Sequence, residues 1–355
     1  MIHSSYTKFS ENGFEFVALA TGKNKGSFAN EFENKGIKII LKPLYKNLRL
    51  PLVFLPYFFA YYRFLRQEKF DVVHIHRMYL YFWYALFAKI AGVSVIIRTI
   101  HNVFKPTYRY PQFYLSRKIL HHFDVVFTSV SPSVEQHELK FFKNKTVRIN
   151  NWYDASRFFP LQQGESKEEV RSKLGIPLDS FVMISVGSCL PQKNHAHIIE
   201  CLKRLISTHR QLFYLHIGDG PLCYEEQQYV SATGLKENSL FAGTVNNVRQ
   251  YLVASDIFVM PSDYEGLGNA LLESMACGVP AIGYDVAGIR DLIQPQKNGW
   301  LIPNSVDNLQ QSIDHVIKDE ESRLQFSKQS IELVCKEFNI DAAVSAFCGL
   351  YRRRQ

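Results

Sequence analysis

Long unbroken hydrophobic runs are missing from this 355-residue chain. The most apolar stretch, Leu50 to Tyr62, is shorter than the about 18 to 20 residues of a bilayer span and carries Pro51 and Pro56, so it is not a transmembrane helix. Cysteine is sparse. Cys189, Cys201, Cys223, Cys277, Cys335 and Cys348 all fall in the second half with no C-x-x-C pair, which speaks against a disulfide framework or a zinc site. They read as reduced thiols packed in a core, and Met1 opens no signal peptide, so a cytoplasmic protein is expected. No D-x-D pair or His/Asp cluster stands where a divalent ion would bridge phosphates. No DNA- or RNA-binding motif is recognisable, so nucleic acid is not an expected partner.

What the chain does have is an ordinary globular composition, 46% hydrophobic and 21% charged, at a length that suggests two domains. Its charge is unevenly divided. Residues 1–160 hold 23 Lys and Arg against 10 Asp and Glu, about +13, whereas the remainder holds 18 against 23, about −5. The basic half is rich in aromatics, and Arg63, Arg66 and Lys69 follow the run ending at Tyr62. Such a surface can rest on anionic lipid headgroups. A helix packed into the first domain with a solvated basic edge fits the same residues.

Short β-branched or aromatic runs alternate with helix-length segments. In the first half these are residues 14–19, 72–75, 93–97, 125–127 and 147–149; in the second, 181–186, 213–217, 239–241, 257–260, 281–283 and 300–302. Mostly buried runs separated by helices imply parallel sheets, and two series imply an α/β protein of two doubly wound domains. The join is expected near 158–166.

The most informative segment is Glu265-Gly266-Leu267-Gly268-Asn269 followed by an apolar helical run that carries Glu273. Before it, Asp256 to Ser262 reads as a buried strand stopped by Pro261, so the order is strand, glycine loop, helix. That order aims backbone N–H groups and the positive end of a helix at whatever lies beyond the strand, and an anion such as phosphate suits the place. Glu265 in the loop and Glu273 about one turn into the helix need not touch the same group: one suits a sugar hydroxyl, the other a ribose diol. A helix cap with a solvated glutamate is the plain alternative.

This segment resembles the donor-site signature of the family 4 retaining glycosyltransferases, which have the two-domain GT-B architecture. The resemblance extends in order through Val186-Gly187-Ser188, Gln192-Lys193-Asn194-His195, Ile217-Gly218-Asp219-Gly220-Pro221 and Phe241-Ala242-Gly243-Thr244-Val245. It implies two Rossmann-like domains facing a cleft: an acceptor-side domain over 1–158, a nucleotide-sugar domain over 159–335, and a last helix, 336–355, crossing back to the first. It implies that Lys193 neutralises the donor diphosphate, helped by Gly187, Gly218, Gly266, Leu267, Gly268 and Asn269. Glu265 and His101 become the catalytic candidates, His101 because it ends a strand at the mouth of the first domain. His74 and His76 on another strand, and His121 and His122 at a helix end, lack ligand spacing and read as structural.

Two departures from the family pattern stand out. Ser188 occupies the place of an arginine that normally assists the lysine. The opening, Met1 to Gly13, resembles the end of the family's first helix, so the first βα unit is expected to be missing, through an upstream start or a truncated copy. The expected activity is transfer of a sugar from a UDP- or GDP-linked donor to a glycan or lipid-linked hydroxyl, with retention, in surface polysaccharide synthesis. No metal or other cofactor is required, and a peripheral position on the inner membrane face is compatible with the basic domain. An epimerase or phosphorylase on the same scaffold, or a non-catalytic nucleotide-sugar binder, are the alternatives.

Overall fold

The computed structural model describes residues 2–22, 29–42, 51–103 and 110–353. Leu50, where the aromatic run begins, lies outside them, as do the side chains of residues 51–53. The chain divides into two units, residues 1–150 together with 340–355, and residues 151–339. The expected joins were after 158 and after 335.

The first unit opens with a helix, Ile2–Glu11, and carries strands β1 (Val17–Ala20), β2 (Lys38–Leu41), β3 (Val72–Ile75), β4 (Val95–Ile100), β5 (Val126–Ser129) and β6 (Val147–Arg148). Strands β1 and β2 form a parallel pair, and β3-β4-β5-β6 a parallel sheet. β2 is not among the expected runs because only two isoleucines separate Lys38 from its end, too short an apolar signal to read as a strand. β4 is buried at every position, as a central parallel strand should be.

Helix Pro51–Glu68 packs one face into the first unit and leaves a basic edge exposed, as the second reading of the aromatic run expected. Phe58, Tyr61, Phe64 and Leu65 are buried on one face, while Leu55 and Phe59 are 60% and 58% exposed. Arg63, Arg66 and Lys69 are exposed as well. The last helix, Ile340–Tyr351, belongs to this unit. Tyr351 bonds His74 Nδ1 through its hydroxyl at 2.8 Å, its ring meets Phe9 and Phe14, and Lys8 pairs with Asp341.

The second unit is one six-stranded parallel sheet of β7 (Phe181–Val186), β8 (Leu212–Ile217), β9 (Ser239–Phe241), β10 (Ile257–Met260), β11 (Ala281–Tyr284) and β12 (Gly299–Ile302), in the order β12-β11-β10-β7-β8-β9. Alternate residues of β7 feed opposite faces: Val182 and Ile184 pack with Leu271, Leu272 and Met275, and Met183 packs with Ile198, Ile199 and Leu202. The sheet order reverses between β7 and β10. In open α/β sheets the loops beyond such a switch point form the ligand crevice.

Candidate active site

The loops leaving β7 and β10 are stitched together at that switch point. Asp263 N–H donates to Gln192 O at 2.9 Å, and Asn194 Nδ2 donates to Pro261 O at 2.9 Å and to Asp263 Oδ1 at 2.8 Å. Asn194 takes a left-handed φ of 52° between the short 3₁₀ turn Pro191–Lys193 and helix His195–Leu205, which lets the chain reverse there. As a result Lys193 Nζ reaches Glu265 Oε1 at 2.6 Å, with side chains only 19% and 13% exposed. These two residues, both expected at the site, form an ion pair.

Beyond the ends of β7 and β8 the packing is backbone against backbone. Gly218 has a φ of +143°, and a Cβ there would stand 1.9 Å from Gly187 O. Gly187 lies under the stem of Lys193, whose Cε would be 3.6 Å from an added Cβ. Its N–H donates to Ile217 O at 2.9 Å, continuing the β7–β8 ladder past the strand ends. A third glycine, Gly288, was not anticipated: a Cβ on it would come within 2.6 Å of Glu265 O, and Glu265 N–H donates to Ala287 O at 3.0 Å. The turn after β11 therefore sets the height of Glu265. A glycine soon after a strand was the available signal.

Gly266 and Leu267 are buried in the loop, and Gly268 caps helix Asn269–Ala276 with a φ of 82°. Asn269 accepts from Asn151 Nδ2 at 2.9 Å. Glu273 is half-buried in the second turn of that helix. Burial pushes its carboxyl up to about 7, against the pull of nearby positive charge that includes Arg157. Ser188 is exposed on the loop where the family pattern has an arginine.

His101 lies in the first unit, directly after β4, with Nε2 2.8 Å from His76 Nδ1. The rings of His74 and His76 are 4.1 Å apart, and those of His76 and His101 5.1 Å. His76, read from sequence as structural, thus stands beside the candidate. Surrounding protein atoms, with the Arg98 cation behind, lower the His101 imidazole to about 4, so it is neutral at physiological pH. The unit also holds an aromatic cavity of about 370 Å³ lined by Tyr79, Tyr81, Phe82, Trp83, Phe113 and Leu115, among others.

Comparison with known proteins gives a consistent outcome. Residues 166–333 match the family model described as Glycosyl transferases group 1, and residues 4–157 match Glycosyltransferase Family 4. A similar protein is the UDP-Gal:alpha-D-GlcNAc-diphosphoundecaprenol alpha-1,3-galactosyltransferase of Escherichia coli, 29% identical over 82% of this chain and 77% of its own. The N-acetyl-alpha-D-glucosaminyl L-malate synthase of Bacillus anthracis is 30% identical over 64% of this chain and 59% of its own. Among solved structures, a glycosyltransferase from Rickettsia africae ESF-5 superimposes with a TM-score of 0.83 at 19% identity, over 99% of this chain and 92% of that one. Anabaena Alr3699/HepE in complex with UDP and glucose gives 0.83 at 16%, over 98% and 93%.

Proposed function

We propose that this chain, which belongs to the family 4 glycosyltransferases and has their GT-B fold, takes a UDP-linked hexose and transfers it with retention to a hydroxyl of a lipid-diphosphate-linked glycan. Nucleotide-sugar-dependent glycosyl transfer comes with the family. The finer assignments rest on the site and on what related proteins are named for. A UDP-galactose donor and an undecaprenyl-diphosphate acceptor are named for the Escherichia coli relative.

The observation that carries the reading is the Lys193–Glu265 pair at the switch point. A diphosphate arriving there offers Lys193 a doubly charged partner, which releases Glu265 to accept from sugar hydroxyls. The amides of residues 267–269, at the start of the helix, face the same anion. As the glycosidic bond breaks, charge gathers on the leaving diphosphate, and these fixed donors stabilise it. No side chain is assigned as a covalent nucleophile, so attack from the face the leaving group vacates is the mechanism proposed. Glu273 is assigned to the nucleoside ribose, and His101, neutral, to the reacting sugar. No metal is assigned to the transfer step.

For the acceptor, the support is the first unit's aromatic cavity and the exposed Leu55, Phe59, Arg63 and Arg66 of helix Pro51–Glu68. Among the described residues no helix is long and apolar enough to cross a membrane. From the exposed apolar and basic residues of helix Pro51–Glu68 we assign the protein a peripheral place on the cytoplasmic membrane face. The test is a panel of UDP- and GDP-hexoses with a short-chain polyprenyl-diphosphate sugar, read by mass and by the anomeric proton coupling of the product. Transfer with an inverted anomer overturns the mechanism. Donor turnover that needs no acceptor points to an epimerase, and donor binding without any turnover to a non-catalytic binder.

A further inference from the structure

Directly behind the Gly187–Lys193 loop, four side chains that could each ligate a cation converge: Cys189, His195, His216 and Glu226. They come from four places in the second unit. Cys189 is in the loop after β7, His195 opens the helix after Lys193, His216 lies on β8, and Glu226 is on helix Cys223–Ala232. All four are buried, with relative exposures of 0%, 3%, 0% and 6%. Their ligand atoms lie within 4.8 Å of one another.

We propose that this cluster binds one tetrahedral, thiolate-preferring divalent cation of the zinc class, as a structural staple under the donor loop. Cys189 Sγ is 3.2 Å from His216 Nε2, and His195 Nδ1 is 3.3 Å from Glu226 Oε1. A tetrahedron with metal bonds of about 2.0 to 2.3 Å has edges of roughly 3.3 to 3.8 Å, so two opposite edges already have nearly that length. His195 Nδ1 and Glu226 Oε2 are buried without a hydrogen-bond partner. His195 Nδ1 approaches Glu226 through Oε1 without the alignment of a hydrogen bond, which suits groups pointing at a shared third atom.

The surroundings orient the ligands. His216 Nδ1 bonds Ser185 Oγ at 2.8 Å, and Ser185 Oγ bonds the Tyr214 hydroxyl at 2.8 Å. With Nδ1 occupied, Nε2 faces the thiol, which is how an outer hydrogen bond sets the tautomer of a metal-binding histidine. A thiolate and a carboxylate with two neutral imidazoles balance a divalent charge, removing the cost of a buried lone carboxylate. A sulfur and two nitrogens disfavour magnesium and calcium. With four protein ligands and no open position, the ion is structural and takes no part in the transfer. Cys223, half-buried beside Cys189, is outside the four and holds Gln227 Nε2 at 3.3 Å. The competing occupant is a proton, giving an ordinary His195–Glu226 ion pair and a Cys189–His216 hydrogen bond.

The experiment strips the full chain with a chelator under reducing conditions and titrates it with zinc, followed by metal mass spectrometry, and with cobalt, followed by its visible spectrum. About one zinc per chain survives dialysis, cobalt gives tetrahedral d–d bands with a thiolate charge-transfer band, and added zinc raises the melting temperature. Cys189→Ser abolishes the charge-transfer band. Glu226→Gln, nearly isosteric and checked for folding by circular dichroism, binds at least about tenfold more weakly, and Ser185→Ala loses a similar factor. Cys277→Ser, buried elsewhere in the unit, binds like the parent. The proposal is overturned if the folded parent retains no zinc, or if Cys189→Ser and Glu226→Gln bind metal as well as the parent does.

Discussion

The ammonium of Lys193 and the carboxylate of Glu265 meet at 2.6 Å across 72 residues of sequence. Lys193→Ala should therefore weaken a nucleoside diphosphate by about ten- to a hundredfold, the worth of a charged hydrogen bond, and the free nucleoside by much less. Calorimetry with both ligands checks this. Equal losses remove Lys193 from the phosphate site.

Glu265→Gln and Glu273→Gln should fail differently. The first should lower kcat with donor KM little changed, and the second should chiefly raise donor KM. Near-parental kcat/KM in both would sink the donor-site assignment.

Glu273 also predicts a pH dependence. Its carboxyl is held at about 7, above the ordinary 4.5, so the folded chain keeps this proton more tightly than the unfolded one. The stability it contributes is complete below about 4.5 and is lost as pH rises to about 7. Nucleoside affinity should rise over the same window as the carboxylate forms. Glu273→Gln should flatten both curves, measured by thermal melts and by binding between pH 5 and 8.

Gly218→Ala should be far worse than Gly164→Ala. Both glycines have positive φ, but a Cβ at 218 meets Gly187 O at 1.9 Å, whereas nothing lies within 4 Å of one at 164. The first should cost more than about 2 kcal/mol and the second about 1 kcal/mol. Urea denaturation of the two variants decides.

Binding to anionic vesicles should be reversible, steeply salt-dependent and weak on neutral lipid. Each basic residue at such a surface is worth about 1 kcal/mol, so the triple change Arg63→Gln, Arg66→Gln, Lys69→Gln should weaken it by roughly a hundredfold. Cosedimentation indifferent to lipid charge and to these residues would show a merely solvated edge.

Much of the fold was legible because buried parallel strands write themselves as apolar runs: β3, β7, β9 and β10 fall on the expected residues. β2 escaped because an edge strand of four residues, exposed at both ends and half-buried only at Ile39 and Ile40, has almost no apolar signature. At the site, Glu265 to Glu273 could be read because strand, glycines and helix are contiguous. What could not be read depends on distant segments folding together. The role of Gly288 beneath Glu265, the pairing of His76 with His101 and the Cys189–Glu226 cluster all arise from the packing of separate βα turns. The irregular intervals among the four cluster residues match no ligand motif.

The return of helix Ile340–Tyr351 makes the second unit an insertion within the first. Residues 151–339 are a contiguous piece that could be expressed by itself, but the first unit is not. A polypeptide ended at residue 150 would lack Phe347 and Tyr351, stripping cover from Phe9, Phe14 and His74 and inviting aggregation. Dissecting this protein therefore requires grafting residues 340–353 back onto the shortened chain through a linker.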